Sequence, residues 1–235
     1  MPRAVLAQLL VAPSWRATCV PLLGPALLEL PLIEQQSLPL SSSARTQRKM
    51  ARRPIACVTG ATGFLASELV AQLLERGYRV HATVRSLANA ERNACLLELP
   101  GATADTLVLF EADLLDDTAF DECVAGAHYV FHTASPFVTS NITDPHRELI
   151  APALTGTRNV FSSIKRAVAS GAEPPRVVLT SSVAAVMGTA ADKATYFDES
   201  DWNFSSRAHG NPPGNGLDMY RYSKVRTTHH SPLTA

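Results

Sequence analysis

No sign of charge dominates this chain of 235 residues: 21 Lys and Arg balance 21 Asp and Glu, for a formal net charge of zero. A nucleic-acid binder needs a basic face, so the balance argues against nucleic acid as the main partner. No uninterrupted apolar run reaches the roughly 18–20 residues of a membrane-spanning helix, so no span is expected. Cysteine is scarce: Cys19, Cys57, Cys95 and Cys123 are scattered with no C-x-x-C pair. That spacing excludes a disulfide framework and a thiol-held metal, and it implies a reducing compartment. No metal is expected. No internal repeat is visible, which removes solenoid and propeller architectures.

What is present concentrates in residues 55–85. Ile55–Val58 reads as a strand, Thr59-Gly60-Ala61-Thr62-Gly63-Phe64-Leu65-Ala66 as a glycine turn, and Leu65, Leu69, Val70, Leu73 and Leu74 as the apolar stripe of a helix ended by Gly77. Arg79–Arg85 reads as a second strand. Gly60 and Gly63 let the chain turn sharply and let a phosphate approach bare backbone N–H groups at a helix N-terminus. Ala66 is the third small position, where helix and strand must lie close. A carboxylate at the end of the second strand would bond the ribose hydroxyls of NAD. Here Arg85 and Ser86 stand instead, with Arg92 further on, and a guanidinium suits a 2′-phosphate. The expected cofactor is NADP.

Further strands are expected at Thr106–Ala112, Tyr129–Thr133 and Arg176–Thr180, the last buried on both faces. Helices are expected at Asn89–Leu99, Asp116–Val124 and His146–Ser170, the last kinked by Pro152 or Gly156. Strands alternating with helices predict an α/β fold with a doubly wound parallel sheet, a Rossmann fold spanning 54–225. Right-handed crossovers bring every strand's carboxyl end, with Gly60, Arg85, Asp113, Thr133 and Ser181, to one rim. His81 and His132 read as satisfied core histidines, and Asn141-Ile142-Thr143 as a glycosylation acceptor irrelevant in a reducing compartment.

Residues 1–53 are set apart as a transit peptide or disordered extension. Their first fifty carry Arg3, Arg16, Arg45, Arg48 and Lys49 against only Glu29 and Glu34. An upstream extension of a chain starting at Met50 explains them equally well. The expected location is cytoplasmic, or plastid or mitochondrial if residues 1–50 act as a transit peptide.

Tyr220 and Lys224 are four residues apart, hence one turn apart on one helix face. An ammonium there can tune a phenol that donates a proton to a carbonyl oxygen as hydride arrives at carbon. A hydroxyl from Thr180-Ser181-Ser182, at the same rim, can hold that oxygen.

Taken in order, Val58–Ser67, Ala82–Arg85, Ala112-Asp113-Leu114, Val130–Pro136, Thr180-Ser181-Ser182 and Tyr220–Lys224 resemble the extended short-chain dehydrogenase/reductases. The branch they most resemble is that of dihydroflavonol reductases and cinnamoyl-CoA reductases. The resemblance implies an NADPH-dependent reductase of an aldehyde, ketone or CoA-thioester carbonyl. Gly60, Gly63, Phe64 and Leu65 would meet the pyrophosphate, and Arg85 with Arg92 the 2′-phosphate. Asp113 and Leu114 would meet adenine, and Thr133, Ala134 and Ser135 would line the cofactor cleft. Ser182, Tyr220 and Lys224 would be catalytic. The family continues well past the lysine to build a substrate domain. Residues 226–235 depart from that pattern, so an aberrant tail and a largely missing substrate domain are expected. A non-catalytic NADP-binding module is the alternative. The oligomeric state is not legible.

Overall fold

Successive strands joined by helices must pair in parallel, because a tight hairpin cannot return the chain in the same direction. The computed structural model follows this rule. It describes residues 53–137, 142–187, 197–198, 200–204 and 216–229, with side chains from 218 onward in the last stretch. Nearly all of the segment set apart as 1–53, Asn141 and residues 230–235 lie outside the described residues. The elements are β1 (Ile55–Thr59), α1 (Phe64–Glu75), β2 (Arg79–Val84), α2 (Ala90–Leu97), β3 (Leu107–Glu111), α3 (Asp121–Val124), β4 (Tyr129–His132), α4 (Ala151–Ala169), β5 (Arg176–Leu179) and α5 (Gly216–His229). A π-helical turn, His146–Ile150, runs into α4, and a 3₁₀ turn, Val183–Ala185, follows β5.

The five strands pair in parallel in the order β3-β2-β1-β4-β5. The order reverses beside β1, so the carboxyl ends of β1 and β4 flank the crevice where such sheets take ligands. Alternation along β1 divides the core between two layers. Val58 and Ala56 face Ala66, Val70, Leu73 and Leu74 of α1, while Cys57 faces Cys123, Val130 and Val160 on the side of α3 and α4. Each buried Val or Leu stabilises the fold by about 1.5–3 kcal/mol relative to exposure. Gly77 ends α1 as the sequence predicts: at φ +79° its N–H meets the Leu74 carbonyl and the Tyr78 N–H that of Leu73.

Two expectations are corrected. The third helix begins at Asp121, not Asp116, because the Asp116 carboxylate accepts from the Thr118 N–H and hydroxyl, both at 2.9 Å, and holds a turn there. Helix α4 runs unbroken through Pro152 and Gly156. The irregularity is the π turn His146–Ile150, which Pro152, with no N–H to give to the turn before it, closely follows. Gly156 instead admits Leu114, whose Cδ2 would stand 2.4 Å from an added Cβ. Finally, β5 is half-buried rather than buried on both faces, because it stands at one edge of the described sheet. The domain boundary drawn at residue 225 falls inside α5.

Candidate active site

The glycine turn is shaped by two close approaches. Gly60 adopts φ +65°, and a Cβ there would lie 3.0 Å from the Cβ of Ala134 in the loop after β4. Its N–H bonds Thr83 Oγ1 at 3.0 Å and the Ala61 N–H bonds the Thr83 carbonyl at 2.8 Å, which ties the turn to β2. Gly63 is the N-cap of α1 and offers no side chain, so the first-turn amides are left without a cap. The Phe64 ring is 94% exposed, so this residue can offer the turn only its backbone. Ala66 is buried against β1, as expected of the third small position.

At the end of β2, Arg85 is exposed and makes no ion pair or hydrogen bond among the described residues, and the Arg92 guanidinium is likewise unpaired. Arg92 lies in the first turn of α2, where its N–H bonds the capping Asn89 side chain at 3.0 Å. Both cations are therefore available to an anion. Asp113 Oδ1 accepts from the Leu115 N–H at 2.8 Å. The Leu114 carbonyl accepts from Asn159 Nδ2 at 2.8 Å, and its side chain packs over Gly156.

The loop Thr133–Phe137 links the glycine turn to α5. Thr133 and Ala134 give their N–H groups to Thr59 Oγ1 at 3.1 and 3.0 Å, and the Thr133 hydroxyl donates to the Thr59 carbonyl. Two residues on, Ser135 Oγ accepts from Lys224 Nζ at 3.1 Å. Phe137 then sets its ring edge-on to Tyr220, with centroids 5.0 Å apart. Lys224 is almost wholly buried, and its ammonium lies 5.6 Å from the Tyr220 ring centroid. Burial pushes the Lys224 pKa down to about 8, because an ammonium away from water disfavours its charge.

Helix α5 reaches this position through apolar contacts of Met219 with Leu149 and Ile150, at the π turn before α4, with Tyr222 packed beside them. Tyr222 is thus drawn into packing, with the Arg226 guanidinium over its ring at 5.9 Å. Thr228 bonds Ser181 at 2.9 Å. Ser181 is therefore occupied by α5, whereas Ser182 Oγ accepts only the Ala184 N–H, at 3.2 Å. Its own hydrogen has no acceptor among the described residues. No hydrogen bond joins Ser182 to Tyr220 or Lys224.

Sequence reasoning missed Thr59 and Phe137. Nothing in their spacing sets them apart, since their roles arise from contacts between strands and helices distant in the chain. His132 is buried and hydrogen-bonded, as expected for a core histidine, and so is His81, whose Nδ1 meets the Cys123 carbonyl at 2.9 Å. No helix of the described residues is long and apolar enough to cross a membrane.

The profile of the NAD dependent epimerase/dehydratase family matches residues 56–227. A putative anthocyanidin reductase of Ginkgo biloba is 47% identical over 164 residues, covering 67% of this chain and 45% of that protein. Cinnamoyl-CoA reductase CAD2 of Medicago truncatula is 52% identical over 132 residues, covering 56% of this chain and 39% of that protein. Among solved structures, Gre2 of Candida albicans in complex with NADPH aligns with a TM-score of 0.60 at 35% identity, covering 73% of this chain and 50% of that one. The chain therefore spans half or less of the length of each of these relatives. With the glycine turn, the reversal of strand order beside β1 and a profile that matches most of the chain, this protein belongs to the NAD dependent epimerase/dehydratase family.

Proposed function

We propose that the chain is an NADPH-dependent oxidoreductase that reduces the carbonyl of a small-molecule aldehyde, ketone or CoA thioester. One observation carries this reading: the loop packed on Gly60 also receives Lys224, so a dinucleotide turn and a buried lysine one helical turn from a tyrosine share one rim. The residues present fit the cofactor. The first turn of α1 presents uncapped amides to a pyrophosphate, and Arg85 and Arg92 present unpaired guanidinium groups to a 2′-phosphate. The bound NADPH supplies the hydride.

The chain's own residues handle the oxygen and the proton. Ser182 Oγ, with one lone pair engaged by the Ala184 N–H, turns its hydrogen to the substrate oxygen and holds it. Tyr220 donates its phenolic proton to that oxygen as negative charge develops. Lys224 stabilises the resulting phenolate by its charge, and Ser135 holds the ammonium in place. The relatives' names support this class: the Ginkgo and Medicago proteins are named as reductases, and the Gre2 structure contains NADPH.

The test is a binding titration of NADPH and NADH followed by turnover with aromatic aldehydes and CoA thioesters. The expected result is NADPH binding that Arg85→Ala weakens by roughly tenfold to a hundredfold, since a charge-assisted bond contributes about 1.5–3 kcal/mol. NADH binding should change little. Equal loss for both nucleotides would refute Arg85 as the 2′-phosphate partner. Binding without turnover would make the chain a nucleotide-binding module, and no NADPH binding at micromolar concentration would refute the reading.

A further inference from the structure

A chain of hydrogen bonds with only one possible direction runs through the buried His132. Thr157 has one hydroxyl hydrogen; given to the Ala153 carbonyl at 2.8 Å, it leaves the oxygen an acceptor toward His132 Nε2, at 3.2 Å, the direction that Thr59 at the other side of the ring requires. The ring therefore carries its proton on Nε2 and leaves Nδ1 as an acceptor. Thr59, 2.8 Å from Nδ1, must donate to it. That uses the one hydrogen of Thr59 Oγ1, whose two lone pairs take the N–H groups of Thr133 and Ala134. Every group is satisfied, and no link can reverse without leaving a buried donor or acceptor unpaired.

This order ties helix α4 to the loop that carries Ser135 and Phe137, the two side chains that touch Lys224 and Tyr220. We propose that Thr157, His132 and Thr59 form a positioning device that fixes the loop Thr133–Phe137 and thereby sets the place of the Lys224 ammonium. None of the three touches Lys224 by a hydrogen bond. They act through the two amides and Ser135. The device rests on the reading of Lys224 as an active-site group, but it can be tested without nucleotide or turnover.

The test uses Thr157→Val, which keeps the shape and removes the hydroxyl, with Thr157→Ser as its rescue. Amide hydrogen exchange is read at Thr133 and Ala134. Lys224 is acetylated with acetic anhydride as a function of pH and located by mass spectrometry. In T157V the two amides should exchange at least about tenfold faster, while those of β1 and β2 keep their protection. The midpoint of the Lys224 profile should rise by about half a pH unit or more, because a loosened loop lets water reach the ammonium. T157S should restore both. Unchanged exchange at Thr133 and Ala134, or an unchanged Lys224 profile in a folded T157V protein, overturns the proposal. If T157V does not fold, Ser135→Ala and His132→Gln carry the same readouts. A Lys224 profile moved by S135A but not by H132Q likewise overturns it. NADPH titration of the unsubstituted protein reports separately on the proposed function.

Discussion

Gly60 shows most directly how one atom decides a site. Its φ of +65° lies where an L side chain is strained, and the space a Cβ would occupy is held by Ala134. Gly60→Ala is expected to destabilise the protein by about 1–2 kcal/mol from the backbone alone. It should also displace the loop Thr133–Phe137 from the turn. Urea unfolding reads the first effect and NADPH titration the second, and a variant with unchanged stability would show that the turn relaxes without strain. The importance of Gly60 was legible in the sequence, because a glycine after a strand and before an apolar-striped helix has few other uses. The part of Ala134 was not. It follows from a contact between residues 74 positions apart, and no local pattern encodes that. Arg85 was legible for a similar reason, as a cation standing where a carboxylate would otherwise be. The unpaired state of its guanidinium emerges only from the fold.

At the scale of elements, α4 carries the clearest difference between pattern and structure. Proline and glycine inside a helical pattern suggest a bend; the structure sets a π turn just before Pro152 and gives Gly156 a packing use. Pro152 occupies the first turn of the regular helix, and Gly156 leaves room for Leu114. Gly156→Ala should therefore not show the gain that a better helix former usually brings. An added Cβ would meet Leu114 Cδ2 at 2.4 Å, Cβ at 2.9 Å and Cγ at 3.0 Å, so overpacking outweighs propensity. A net loss of about 1–2 kcal/mol in urea unfolding is expected, and a stabilised variant would refute this account. Helix α5 is the opposite case. Its sequence announces Tyr220 and Lys224 through their spacing, yet it buries Ser223, Thr227 and Thr228 along with Lys224. A pattern search for apolar stripes passes over such a helix, and its place is fixed by Val225, Met219 and the bond from Thr228 to Ser181.

At the scale of the whole molecule, alternating strands and helices made the parallel sheet legible, and the apolar strands made its centre legible. Strand order and the edge position of β5 were not, since pairing partners are chosen by packing between helices far apart in the chain. One property of the assembled molecule follows from the interior of that sheet. Burial holds His132 at a pKa of about 3, against an ordinary value of 6.5, with the nearby Lys224 charge adding to the shift. Between those values the unfolded chain binds a proton that the folded protein refuses. Stability therefore rises with pH across that window, is complete above about 6.5, and is lost progressively below it, by up to about 4–5 kcal/mol at the acid end. Below about pH 4 the carboxylates add loss of the same sign, Asp121 being held ionised by Arg166. Urea unfolding at a series of pH values checks this, and His132→Gln should flatten the slope between about pH 6.5 and 4.5, where the carboxylates remain charged. An unaltered slope would place its origin elsewhere.

The parallel ladder also has a kinetic side. Strand β1 finds β2 soon after synthesis, but its other flank is completed only by β4, across a separation such as the 73 positions from Thr59 to His132. Pairings that distant close slowly and late. A growing polypeptide thus holds its glycine turn half-built while the intervening helices emerge, and the crevice beside β1 comes into being only with β4.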